Sequence, residues 1–298
     1  MKKFFAVLAI LAALIWTAVF YFPDKNLHLI FCDVGQGDAI LIKKGFNQVL
    51  IDGGPDERVL ECLSDHLPFW DRTIEMVVLT HPQADHITGL ISVLERYRVE
   101  YFVINNIVND TERFWRFRDV LINEGVKIYN PKTGERVELA EMSFNVLWPK
   151  EELGSSLVWK TSDTSDGGPE ELLRGEILGV ASYHGDLNET SVVLRLSFGD
   201  FCALFIGDIG LTAETYLDKV TPCQVLKVAH HGSKYSNSKE FLEQVQPDMA
   251  VISVGKNRFG HPTEEVLKRL ASAGAKILRT DQDGEIEIVS DGRKWRIK

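Results

Sequence analysis

The sequence predicts a layered α/β sandwich, with mixed sheets inside and helices on the outer faces. Three observations carry that expectation. Residues 28–54 hold three β-rich runs, "HLIFCDV", "AILIKK" and "QVLIDGG", separated by glycine-containing turns, the pattern of a meander. From residue 57 onward, apolar runs alternate with stretches of helical spacing. The chain then closes on short strand-like runs, "AKILRT", "EIEIVS" and "KWRIK". With 298 residues, 45% hydrophobic and 26% charged, the chain has globular composition, enough for one large domain or two small ones.

Taken in order, residues 57–67 have helical spacing, and "IEMVVLT" reads as a buried strand followed by a helix over 87–97. "YFVIN" is a strand and residues 112–124 a helix. "FNVLW", "SVVLRLSF" and "FCALFIGD" return to strands. A helix is expected near 212–219, then strand "QVLKVAH", a helix near 239–245, strand "MAVISVG" and a helix over 263–273. No internal repeat is evident. Of the cysteines, Cys32 and Cys202 sit in apolar runs and read as core. None has metal-type spacing; an outside location would permit disulfides, and the sequence does not say whether any pair is close enough.

Two segments stand apart. Lys2 and Lys3 precede an uncharged run over residues 4–22. As a helix that run would be about 28 Å long, close to a bilayer core. It ends in bulky residues without an Ala-x-Ala site, so residues 1–23 are expected to be an uncleaved signal anchor, a single transmembrane helix with the N-terminus inside. Residues 24–298 then form an extracytoplasmic domain at the cytoplasmic membrane, or a secreted one if the segment is cut. The second segment, residues 151–189, carries nine acidic and two basic side chains. It is expected to be a flexible acidic insert, or a lid using Trp159. The whole chain has net charge −10, which argues against broad affinity for nucleic acid.

The chemistry concentrates at strand ends, where ligand groups converge in layered α/β folds. "LTHPQADHITGL" places His81, Asp85 and His86 directly after a buried strand, with Gln83 where a His-x-His-x-Asp-His pattern has its middle histidine. "LFIGDIG" places Asp208 after a second strand, and "LKVAHHGSKYS" places His230 and His231 after a third. Imidazole and carboxylate suit one or two divalent ions, zinc or manganese. Asp208 can bridge two such ions, and Asp85 can orient a nucleophile. Of the histidine pair, His231 is taken as the ligand and His230 as the acid or transition-state stabiliser.

These motifs, with "FCDVGQGDAILI" (31–42), "LIDGG" (50–54), "NETSVVLRL" (188–196), "ISVGKNRFGHP" (252–262) and "RTDQDGEIEI" (279–288), resemble the metallo-β-lactamase-fold domain of the ComEC/Rec2 competence proteins. The resemblance spans about 260 residues and implies a four-layer αββα sandwich, a metal-dependent hydrolase site, and degradation of DNA during uptake. It puts Asn188 or Ser191 near the site, where the wider superfamily has a third histidine. His184 is a candidate substitute. Asp38 and Gln36 are expected near the metals. Asp52 is expected to hold a ligand histidine or to make a turn. The resemblance raises Lys234, Lys256 and His261, together with Arg258, as contacts for an anionic substrate. Two departures matter. Gln83 is a neutral and therefore weaker ligand than the family's usual Asp, and the chain has no room for a membrane channel, so any channel would be a separate partner. The expected activity is that of a metal-dependent phosphodiesterase or nuclease. The alternatives are a hydrolase of small or cell-envelope phosphoesters and an anchored, non-catalytic binding module.

Overall fold

The computed structural model describes residues 3–8, 23–105, 107–150, 185–217 and 220–298. The expected anchor falls largely outside these residues, as do 151–184 of the acidic insert, including Trp159 and His184. Residues 3–8 are helical. Among the described residues, no helix is long and apolar enough to cross a membrane.

The expected meander forms first: β1 (Leu27–Phe31), β2 (Ile40–Lys44) and β3 (Asn47–Ile51) pair antiparallel in sequence. Helix α1 (Arg58–His66) follows, burying Val59, Cys62 and Leu63 at helical spacing. Strand β4 (Thr73–Leu79) pairs parallel to β3, and β5 (Arg98–Ile104) parallel to β4. Between them lies α2 (Ala84–Arg96). Helix α3 (Glu112–Asn123) opens with Thr111 accepting a hydrogen bond from the Phe114 amide, and β6 (Lys127–Tyr129) ends this half. The second half runs β7 (Arg136–Leu139), β8 (Met142–Trp148), β9 (Val193–Phe198) and β10 (Phe201–Phe205), each antiparallel to the last. Strands β11 (Val225–Lys227), β12 (Met249–Ile252) and β13 (Lys276–Arg279) then add in parallel. Helices α4 (Leu211–Glu214), α5 (Lys239–Val245) and α6 (Glu264–Ser272) precede these three strands in turn, and α7 (Thr280–Asp283) follows β13. The chain returns to the first sheet through β14 (Ile286–Ser290) and β15 (Trp295–Ile297).

The two sheets have the orders β15-β14-β1-β2-β3-β4-β5-β6 and β13-β12-β11-β10-β9-β8-β7. Alternate side chains of one strand point to opposite faces. Leu29 and Phe31 therefore face the second sheet, packing with Phe144, Leu194 and Phe205, whereas Ile30 faces outward to a core with Leu63, Leu90 and Phe117. On the other side, Leu204, Leu226 and Ala250 pack under Phe241, Val266 and Leu270. The result is helices, sheet, sheet, helices, the four-layer αββα order.

The structure departs from the sequence expectations in three places, and it also settles the cysteines, which the sequence leaves open. Helix α2 begins at Ala84 rather than 87, so Asp85 and His86 lie in its first turn. Of the helix expected near 212–219, α4 ends at Glu214 and a turn follows at 215–216, while 218–219 lie outside the described residues. The edge strand β6 and the exposed strand β7 were not expected, because "KIY" and "RVEL" lack an apolar run. The cysteines pair: Cys32 with Cys62 tethers β1 to α1, and Cys202 with Cys223 tethers β10 to the segment before β11.

Candidate metal centre

The site lies in the seam between the sheets, at the ends of β3, β4, β10, β11 and β12. Asp52, directly after β3, adopts a left-handed backbone (φ 58°), a conformation that non-glycine residues rarely hold without a structural reason. Its carboxylate accepts hydrogen bonds from the Thr80 amide at 2.8 Å and the Thr80 hydroxyl at 2.7 Å. It also accepts from His86 Nδ1 at 2.8 Å. Sequence left Asp52 between a turn role and a histidine-holding role. The structure places it in both.

Helix α2 presents Asp85 and His86 because its first turn is clamped from two sides. The Gly53 amide bonds the His86 carbonyl at 2.8 Å, and the Asp38 amide bonds the Asp85 carbonyl at 3.3 Å. Gly89 allows this approach, since a Cβ there would collide with the Gly53 carbonyl oxygen. His231 comes from a left-handed turn after β11, with φ 49° at His230, 51° at His231 and 85° at Gly232. His230 and His231, as non-glycine residues in this region, store strain of the kind concentrated at functional sites, and Gly232 completes the turn without strain.

Each buried histidine is oriented the same way. His86 Nδ1 is bonded to Asp52, and His231 Nδ1 to the Ser253 carbonyl at 2.8 Å. His81 Nδ1 faces the hydroxyls of Thr80 at 3.1 Å and Ser191 at 3.3 Å. Those hydroxyls donate elsewhere, Thr80 to Asp52 and Ser191 to the Asn188 carbonyl, so they accept from His81. Nε2 of His81, His86 and His231 is then left buried without a hydrogen-bond partner. A buried polar atom without a partner is costly, and three of them converging on two carboxylates call for a cation.

The spacing fits one. Ligand atoms around a tetrahedral ion at bonds of about 2.1 Å stand about 3.4 Å apart. His231 Nε2 is 3.4 Å from Asp85 Oδ2 and 3.3 Å from Asp208 Oδ2, and His86 Nε2 is 3.5 Å from Asp208 Oδ2. Asp85, His86 and His231, whose ligand atoms lie within 4.8 Å of one another, would therefore hold a divalent ion, with Asp208 adjoining His86 and His231. His81 forms a second group with His86 and Asp208, their ligand atoms within 4.8 Å of one another.

Charges follow the same geometry. Burial and the neighbouring His86 push the His81 imidazole down to about 3, so it is neutral. Burial disfavours the charged forms of His86 and His231, but the carboxylates around them win and hold both well above the ordinary value. An entering cation would displace those protons. Burial raises Asp85 and Asp208 as well, yet the His231 ring beside each carries both well below the usual range. Burial pushes Asp52 up against the pull of His86.

Lys227 was not singled out from sequence. It is buried in β11, 1% exposed, with Nζ bonded to Asp38, to Asp208 Oδ1 at 3.2 Å and to the Gly207 carbonyl at 2.9 Å. The signal was available: one lysine in the apolar run "QVLKVAH" is out of place unless it is paired. Asp38 lies 3.5 Å from His231. Gln36 instead lies against the Gly255 amide. Ser191 and buried Asn188 line the His81 side through the Ser191 hydroxyl. Gln83 is the N-cap of α2 and makes no side-chain cap bond. His230 is half-buried on the rim, its ring 6.3 Å from His231 and 5.5 Å from His261. Burial and the adjacent His230 push His261 down to about 4, so it too is neutral. Lys234, Lys256 and Arg258 are exposed. The Cys32, Cys62 and Glu285 group is a disulfide beside a carboxylate and offers no thiolate ligand.

The model of the metallo-beta-lactamase superfamily matches residues 32–256, which include every ligand candidate. The chain belongs to this superfamily. Within it, the chain is a domain of the ComEC/Rec2 competence type. It is 40% identical over 275 residues to competence protein ComA of Neisseria gonorrhoeae, covering 89% of this chain and 33% of ComA. It is 28% identical over 283 residues to ComE operon protein 3 of Bacillus subtilis, covering 86% of this chain and 32% of that protein. The chain thus spans about a third of the length of these curated relatives. Among solved structures, the metallo-beta-lactamase fold protein YhfI of Bacillus subtilis shares the fold, with TM-score 0.54, 9% identity and coverage of 88% of this chain and 99% of YhfI. The superfamily's domain is that of a metal-dependent hydrolase, and the imidazole and carboxylate set of this chain suits it.

Proposed function

We propose that this chain is a metal-dependent phosphodiesterase that acts outside the cytoplasmic membrane, with DNA as its substrate. One observation carries the reading: three buried imidazoles with free Nε2 atoms converge on Asp85 and Asp208 at ligand spacing. Nitrogen and oxygen donors without thiolate suit zinc or manganese. When bound, such an ion supplies Lewis-acid polarisation of a phosphoryl oxygen and makes water more acidic. The chain's own residues do the rest. Asp85, at 30% exposure the most open carboxylate of the cluster, orients the attacking water. His230, on the rim, donates a proton to the leaving oxygen. Exposed Lys234, Lys256 and Arg258, together with His261, meet the anionic substrate around that rim.

DNA is supported by the names of two relatives, competence protein ComA and recombination protein 2. An extracytoplasmic location is supported by the two disulfides, which persist in oxidising compartments, and by the apolar run over residues 4–22 as a single-pass anchor. A separate channel protein is the partner that uptake would require. The net charge of −10 favours a second reading, a small or cell-envelope phosphodiester.

The test is to purify the full chain, measure bound metal, and assay cleavage of single- and double-stranded DNA and of bis-p-nitrophenyl phosphate with manganese or zinc. DNA cleavage is expected, and lost in Asp208→Ala and His231→Ala. Cleavage of the small diester alone removes DNA as substrate. Bound metal without any cleavage makes the chain a binding module, and no bound metal ends the hydrolase reading.

A further inference from the structure

We propose that Lys227 is a built-in cation that takes the place of a second metal ion, so that the centre holds one divalent ion and pairs it with the lysine ammonium through Asp208. The inference rests on the reading of the site as a metal centre and goes beyond it in fixing the number of ions and the residue that fixes it.

The lysine's donors are matched. An ammonium has three N–H groups and no acceptor. Nζ of Lys227 faces Asp38, Asp208 Oδ1 and the Gly207 carbonyl, and the side chain is 1% exposed. This is the arrangement of a small cation held by oxygens. Asp38, Asp208 and His231 offer ligand atoms within 4.8 Å of one another, a metal-like group in their own right, and the ammonium bridges its two carboxylates.

Asp208 is divided by this contact. Oδ1 is taken by Lys227 at 3.2 Å, while Oδ2 faces His231 at 3.3 Å and His86 at 3.5 Å. With Oδ1 on the ammonium, only Oδ2 of Asp208 is left for metal, and two ions would have to share that one oxygen. The position served by His81 is short of other ligands for independent reasons. The motif has the neutral Gln83 in place of a charged ligand, and the Ser191 oxygen already accepts from the Asp208 amide at 3.1 Å and donates to the Asn188 carbonyl at 2.8 Å. A second divalent ion there would also face the Lys227 charge across Asp208 in a buried, weakly screening setting. Lys227 does not reach the surface, so it acts on the charge and position of Asp208 and not on substrate.

The experiment is calorimetric titration of the metal-stripped full chain with manganese alone, followed by electron paramagnetic resonance of the loaded protein. The expected result is one equivalent bound and the spectrum of isolated ions. Two equivalents with an exchange-coupled spectrum would overturn the inference and leave the hydrolase reading standing. No binding would overturn both. Lys227→Met removes the cation and leaves Asp38 and Asp208 uncompensated. This variant is expected to gain a second equivalent, and its Tm should rise more on adding manganese than that of the parent. The same stoichiometry and the same Tm shift as the parent would overturn the inference. If Lys227→Met does not fold, Asp38→Asn/Lys227→Met removes one charge of each sign, and the stoichiometry of the unmodified chain decides in either case.

Discussion

At the residue scale, the centre depends on what each imidazole does with its Nδ1. His86 is turned by Asp52, which Thr80 holds through two bonds. Asp52→Asn keeps the shape but loses the charge and can turn an N–H toward the ring. It is expected to lower metal affinity about 10- to 100-fold with little change in fold, measured by competition with a chelating dye. The ligand types and their strand-end positions were legible in the sequence. The choice between His230 and His231 was not, because it depends on the Ser253 carbonyl, which β12 brings from 22 residues away. Lys227 escaped for a related reason: its partners Asp38 and Asp208 are distant in sequence and meet only in the folded seam.

At the element scale, the strands were legible wherever both faces are buried, since a parallel strand covered on both sides reads as an unbroken apolar run. The edge strand β6 and exposed β7 lack that signature. The three-residue error at the start of α2 had a functional cost. Periodicity begins at Ile87, but the first turn is set by the amide of Gly53 bonding back to His86, which no pattern of apolar residues reports. Gly89 is the pivot of that contact. Gly89→Ala is expected to cost about 1–3 kcal/mol through overpacking, seen as a lower denaturant midpoint, and to shift Asp85 and His86 enough to weaken metal binding in the same protein.

At the scale of the whole molecule, the strand that begins the domain is tied to the strand that nearly ends it. His28 on β1 bonds Glu287 on β14 at 2.6 Å and Asp24 at 2.9 Å, and Lys298 bonds Glu287 at 2.8 Å. The hydrogen bond to Glu287, aided by Asp24, raises His28 above its ordinary value against the lowering effect of burial. That contribution is full below about pH 6.5 and is lost as pH rises through the folded value. Burial raises Glu287, yet His28 and Lys298 bring it down to about 2. Its contribution is full above about pH 4.5 and is lost as pH falls toward 2. The cluster therefore stabilises most between about pH 4.5 and 6.5. His28→Gln is expected to lose most Tm in that window and least above it, read from thermal melts across pH in each protein.

The two disulfides also say something about how the halves of the sandwich are joined. Cys32–Cys62 lies wholly on the first sheet and its helix, and Cys202–Cys223 wholly on the second. Each staple stiffens one leaf of a book and neither crosses the spine. What crosses at the centre is Asp38 to Lys227, His86 to Asp208, and Asp85 to His231. An ion held by Asp85 and His86 from one leaf and by His231, beside Asp208, from the other is thus a clasp as well as a cofactor. Its arrival closes the book on the page where the chemistry is done, and Lys227 keeps the leaves from parting before it comes.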